Sequence, residues 1–244
     1  MNKRFVTPLI ALLLAFVVTP LDAQMISAPN STSTSNALPI GNTNLNLRFG
    51  INVSKFVIDE TDMDAYKGRL GFQIGINTFL PINQKSGIDI SVLYSQRGSN
   101  VDFSDDALGY SSEGFYSMNY LEIPINYNYN LTVAGHHINL LIGPTFGLGI
   151  NGKSEIDFIF GTIRESYKND IKFKEPNSTD LFIPMKRLDL GLNIGASYKV
   201  KNITAGLTYN IGLTNHIYDA ADGEFLRQRV FQVFVNYPLP VRAK

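Results

Sequence analysis

Six polar residues carry most of the chemistry this sequence offers: Arg48, Gln73, Asp89, Glu122, Asp189 and Lys199. Each stands on the polar side of a segment whose other side is largely apolar. A β-structure that brings those polar sides together makes a network of opposed charges. Such a chain of groups can carry a proton or an ion, but far more often it pairs buried charges with one another. Arg48 and Glu122 both fall near the middle of their segments and form the expected pair. Histidine supplies a second candidate. His216 lies in "NHIYDAADGE" with Asp219, Asp222 and Glu224 close by. Hydrolytic sites use such groups, yet no nucleophile motif accompanies them, and the stretch reads as a solvated loop. His136 and His137 share a turn. The acidic stretches "IDETDMDAYKG" and "DFSDDALG" hold carboxylates that suit Ca²⁺, but neither has the turn glycine and final Glu of a complete Ca²⁺ loop. No catalytic, cofactor or metal site is therefore expected, and the chain reads as a non-enzyme.

The elements that must position these residues are strands. "NLNLRFGINVS" (44 to 54) puts Leu45, Leu47, Phe49, Ile51 and Val53 on one face and Asn46, Arg48, Gly50, Asn52 and Ser54 on the other. The pattern recurs at 69–82, 87–97, 120–130, 137–151, 187–200, 203–214 and 229–237, which makes eight segments. In a soluble sandwich the apolar face is the core; in a transmembrane barrel it meets lipid and the polar face lines the interior. Three features favour the barrel. Most segments run nine to fourteen residues, against about five or six for an ordinary strand and about 9–11 for a tilted bilayer crossing. The connections alternate: 57–68 long, 83–86 short, 98–114 long, 131–136 short, 152–186 very long, 201–202 short, 215–228 long. Outer-membrane barrels have short turns at one end and long loops at the other. Tyr127, Tyr129, Tyr198 and Tyr237 all fall at strand ends near the short turns, where amphipathic rings collect at a membrane interface. The expected fold is an all-β, eight-stranded antiparallel up-and-down transmembrane β-barrel. Its interior is just wide enough to be filled by side chains, so no diffusive pore is expected. Pro124 and Pro144 fall inside strands, and a closed barrel has no edge for them, so each implies a bulge or a missing ladder bond.

The chain opens "MNKRFVTPLIALLLAFVVTPLDAQ", a basic start, an apolar run and a small residue at Ala23. That reads as a secretory signal peptide, residues 1–23, since the run is shorter than the roughly 20 residues of a membrane-spanning helix. Residues 24–43, rich in Ser, Thr, Asn and Pro, read as a flexible periplasmic leader. The barrel domain is placed at 44–238 and a tail at 239–244. The sequence has no cysteine, which excludes disulfides, thiol nucleophiles and thiolate metal sites. Lys and Arg number 21, as do Asp and Glu. This charge balance lacks the basic stripe that nucleic acid would require.

The stretches "YLEIPINYNYN", "GPTFGLGI", "RLDLGLNIGASYKV" and "AGLTYNIGLTN" resemble the PorT-type outer-membrane β-barrel family common in Bacteroidota. The resemblance covers roughly Leu45 to Tyr237. It implies an eight-stranded barrel in the cell outer membrane and a link to protein secretion. Two roles stay open on the residues alone: an accessory or structural component of an envelope complex, and a loop-mediated binding or adhesion protein. Outer-membrane lipid is one expected partner. An envelope or secretion-complex protein is the other, held through the loop 152–186, whose strand-like runs suggest a hairpin extension.

Overall fold

The computed structural model describes residues 44–58, 65–105, 109–133, 136–175, 183–218 and 224–239 of the 244-residue chain. Residues 1–43, expected to be signal peptide and leader, and 240–244 of the expected tail lie outside the described residues. Among the described residues eleven strands follow in chain order: β1 (Asn44–Val57), β2 (Tyr66–Lys67), β3 (Arg69–Pro81), β4 (Ser86–Asp105), β5 (Tyr110–Val133), β6 (His136–Phe160), β7 (Ile163–Lys172), β8 (Ile183–Pro184), β9 (Leu188–Val200), β10 (Ile203–Gly212) and β11 (Arg227–Pro238). Eight of them form a ring. Each of β1, β3, β4, β5, β6, β9, β10 and β11 pairs antiparallel with the next, and β11 returns to β1 over Asn46↔Pro238 to Val57↔Arg227. Closure leaves these eight without a free edge through the membrane-spanning height, which is what lipid demands of a sheet.

The burial pattern is inverted relative to a soluble protein. Asn52 is 0 % exposed and Gln232 3 %, whereas Phe49 is 45 %, Leu207 49 % and Leu70 68 % exposed. Polar residues fill the interior and apolar ones cover the outside, so the outer band belongs against hydrocarbon. Tyr127, Tyr129, Tyr198 and Tyr237 are exposed on that band near the short-turn end.

Three strands are much longer than their alternation suggests. β4, β5 and β6 run 20, 24 and 25 residues, about twice a bilayer crossing. The expected long connection at 98–114 is therefore mostly strand. Along β6 the outward side chains are Ile142, Phe146 and Ile150, then Lys153, Glu155 and Asp157. The change from apolar to charged marks where the strand leaves the bilayer, and the two faces exchange character there: the outward one becomes charged while the other carries Ile156, Phe158 and Phe160. A bulge sits at the same place: Asn119 faces Asn151 and Tyr120 faces Gly149, leaving Ile150 as the extra residue. Beyond it β6 turns into β7, which pairs back from Phe160↔Ile163 to Gly152↔Ile171. Residues 152–186 thus contain the expected hairpin extension.

The strand prolines take the missing-bond solution. Between β4 and β5 the pairing passes from Ile90↔Ile125 to Leu93↔Glu122, and between β5 and β6 from Pro124↔Thr145 to Tyr127↔Ile142. Each gap keeps its register, so pairs are lost without a bulge. Gly143 lies in the second gap. A Cβ there would run into the carbonyl oxygen of Ile125, so the two backbones approach as only glycine allows.

β9 and β10 are joined by Lys201 and Asn202, with Val200 facing Ile203. Lys201 has φ 55°, left-handed backbone in which a Cβ is crowded. Replacing Lys201 with Gly is expected to stabilise the barrel by up to about 1 kcal/mol. Urea unfolding of the refolded protein should show this as a higher midpoint, and Lys201→Val should move it the other way.

Candidate functional site

The interior is organised in levels. At the short-turn end is an open vestibule of about 800 Å³, lined by Asn46, Asn77, Asn128, Asn139, Lys199 and Asn236 among others. Above it Arg48 is held among β1, β3, β4 and β11. Its Nε donates to Asn236 Oδ1 (2.8 Å), its Nη2 lies 3.6 Å from Asp89 Oδ1, and its guanidinium stacks on Phe234 at 3.9 Å. Asn77 Nδ2 donates to Asp89 Oδ1 (2.9 Å) and Ser91 Oγ (3.0 Å), which fixes the carboxylate.

The next level is centred on Arg97. Its Nη2 pairs with Glu122 Oε2 (2.5 Å) and its Nη1 with Asp189 Oδ2 (2.9 Å), all three side chains being buried. Gln232 Nε2 donates to Glu122 Oε1 (3.4 Å) and is itself positioned by Thr208, whose hydroxyl donates to Gln232 Oε1 (2.9 Å). His216 closes the group, with Nε2 3.5 Å from Asp189 Oδ1. Charges from β4, β5 and β9 are thus clamped across the lumen. Over them Phe56, Met118, Tyr120, Ile171, Phe173 and Met185 form a buried apolar cluster at the long-loop end. Phe173 lies against Gly149, and Arg187 Nε donates to the Gly149 carbonyl (3.3 Å). Phe173 and Arg187, both beyond β6 in the chain, therefore reach back into the barrel mouth.

Arg48, Gln73, Asp89, Glu122 and Asp189 are buried inside the ring, whereas Lys199 is exposed at the vestibule mouth. The Arg48–Glu122 pair does not form: Arg48 meets Asp89 and Glu122 meets Arg97. Strand tilt explains the exchange. Following the ladder from Arg48 through Gly75 and Leu93 leads straight to Glu122. Three strand spacings of ~4.8 Å at a tilt of ~40° displace the two along the barrel axis by roughly 9 Å. Residues on one ladder row are not at one height.

Arg97 was legible and was missed. It shares the parity of Asp89 along "GIDISVLYSQR" and so must face inward. His216 differs, since nothing in "NHIYDAADGE" reveals that its acidic partner comes from another strand. Its local neighbours Asp219 and Asp222 lie outside the described residues, and Glu224 is exposed. Residues 59–64 of the first acidic stretch and 106–108 of the second also lie outside them; Asp102 and Asp105 belong to β4.

A closed eight-stranded ring with ion pairs inside and apolar side chains outside defines a transmembrane β-barrel of the outer membrane. The chain belongs to the outer membrane protein beta-barrel domain family, whose profile matches residues 23–218. Among solved structures it is similar to Ail, the attachment invasion locus protein of Yersinia pestis, at 13 % identity over 81 % of this chain and 99 % of that one, with a TM-score of 0.40. It is also similar to Neisserial surface protein A, at 11 % identity over 80 % of this chain and 97 % of that one, with a TM-score of 0.42. No curated protein matches the sequence.

Proposed function

We propose that this barrel is a non-enzymatic anchor that holds a rigid protein-binding sheet outside the outer membrane, as an accessory or structural component of an envelope complex. One observation carries the reading: β4, β5, β6 and β7 continue as a paired sheet well above the lipid-facing band. Its two faces differ. One bears the ion pairs Asp157–Arg164 (2.6 Å) and Glu155–Lys168 (2.6 Å). The other carries the aromatic row Phe103, Tyr110, Phe158 and Tyr167, with successive ring centroids 6.1, 6.2 and 5.5 Å apart. Phe103 and Tyr167 remain exposed, as do Phe160 and Ile163 near the tip. A strand-built platform with exposed aromatic rings suits a protein partner better than a mobile loop does, because little ordering entropy is lost on binding.

The resemblance to PorT-type barrels supports a role beside protein secretion machinery. Loop-mediated adhesion at the cell surface is the second reading, favoured by the same exposed rings. Joining Ser154 to Asn169, which face each other, through a short Asn-Gly turn removes the platform tip and leaves the barrel ladder alone. The shortened protein is expected to keep heat-modifiable gel migration and to lose a stoichiometric envelope partner on purification in mild detergent. An unchanged set of co-purifying proteins would overturn the complex-component reading. Loss of attachment to host or matrix protein, with no envelope partner to lose, would select adhesion.

A further inference from the structure

The lipid-facing seam between β1 and β11 changes character at a single rung. Going up from the short-turn end, its outward pairs are Leu47–Tyr237, Phe49–Val235, Ile51–Val233 and Val53–Phe231, every one apolar or aromatic. The next pair is Lys55–Arg229, and Arg227 follows on the same face, opposite Val57. Lys55 is exposed, and Arg227 and Arg229 are half-buried. Like charges set directly opposite one another destabilise a sheet. Among the described residues no carboxylate forms an ion pair with any of the three. The flanks supply none either, since Val53 pairs with Leu70 of β3 and Arg229 with Ile211 of β10. Asp59 and Glu60, which follow β1, lie outside the described residues.

Two further observations say what faces this rung. Arg229 is anchored: its Nη1 donates to Gly212 O (2.8 Å) and Gln228 O (3.3 Å), which fixes one corner of the guanidinium and leaves its other donors for a further acceptor. The two borders of the apolar band also differ. Tyr127, Tyr129, Tyr198 and Tyr237 edge it at the short-turn end, whereas cations edge it at the long-loop end, here and on β6, where Lys153 is the first charged outward residue beyond Ile150. The Lys55–Arg229 rung stands directly above Val53 and Phe231, which are 44 % and 41 % exposed. That height, on the side of the long loops, is where the headgroups of the outer leaflet begin.

We propose that Lys55, Arg227 and Arg229 bind a phosphate of an outer-leaflet glycolipid, whose acyl chains lie along the apolar seam below. Opposed residues stand about 5 Å apart and alternate residues about 7 Å apart, so three cations converge on one phosphate. The anion removes their mutual repulsion, and arginine meets phosphate oxygens with paired N–H donors.

The test uses the full chain refolded in dodecyl maltoside, with diphosphorylated lipid A as probe and native mass spectrometry to count bound lipid. Saturable binding is expected, with fully dephosphorylated lipid A at least about tenfold weaker. Lys55→Gln with Arg229→Gln should weaken binding about thirtyfold, at about fivefold for each cation lost at a charged lipid surface, and keep heat-modifiable migration. Lys199→Gln with Lys201→Gln makes the same charge change at the short-turn end and should leave binding unchanged. Inorganic phosphate equimolar with lipid A should not displace it. The proposal fails if the dephosphorylated lipid binds the parent protein equally, a result that needs no variant to fold. It fails too if the Lys55 and Arg229 substitutions change nothing, if the short-turn pair weakens binding as much, or if inorganic phosphate displaces the lipid, which would mark a free-anion site. Joining Ser154 to Asn169 leaves this seam in place, so the outcome is separable from that for the platform.

Discussion

Arg97→Met is expected to destabilise the barrel by about 3–5 kcal/mol, among the largest effects of any single substitution here. The cost comes less from the lost attraction than from what is left behind: Glu122 and Asp189 remain buried, of like charge, and without their shared counter-ion. The triple variant Arg97→Met, Glu122→Gln, Asp189→Asn removes all three charges together and should recover most of the loss. Urea unfolding of protein refolded into vesicles measures both, with heat-modifiable migration as a check on folding. If the single variant matched the parent, the Arg97 cluster would not be bracing the lumen. If the triple variant were as unstable as the single one, the cost would lie in lost side-chain packing rather than in stranded charge.

Leu207→Arg is expected to cost about 2–4 kcal/mol, and Val200→Arg only about 0–1. Both side chains point outward and are similarly exposed, 49 % and 54 %. Depth alone separates them. Leu207 lies midway along β10, paired with Val233 and Ala196, whereas Val200 ends β9 beside the short turn. An arginine at the turn reaches water, and one at mid-height cannot without thinning the bilayer. Equal costs at the two positions would mean that the exposed band meets something other than hydrocarbon.

The architecture was legible where only one physical rule operated. Within the bilayer every outward side chain must be apolar and most inward ones polar, so β1 and β9 could be bounded by alternation to within three residues. Above the bilayer that rule lapses. Lys153, Glu155 and Asp157 face water on one side of β6 while Phe158 and Phe160 stay on the other, and the same backbone reads as loop. The interior was legible as a list of residues and not as a set of partners. Asp89, Glu122 and Asp189 could be assigned to the lumen by parity, but which charge meets which depends on tilt, and tilt is a property of the closed ring. His216 reaches Asp189 only because the loop after β10 folds inward, a contact no local pattern encodes.

The pairing of β1 with β11 has a consequence for how the molecule is made. The Arg48 side chain on the first strand is clasped by Asn236 on the last, 188 positions away. No partial chain can close the cylinder, and an unclosed one would offer bare peptide groups to the lipid. Biogenesis must therefore deliver the polypeptide whole, kept from premature collapse until its final strand has arrived at the membrane.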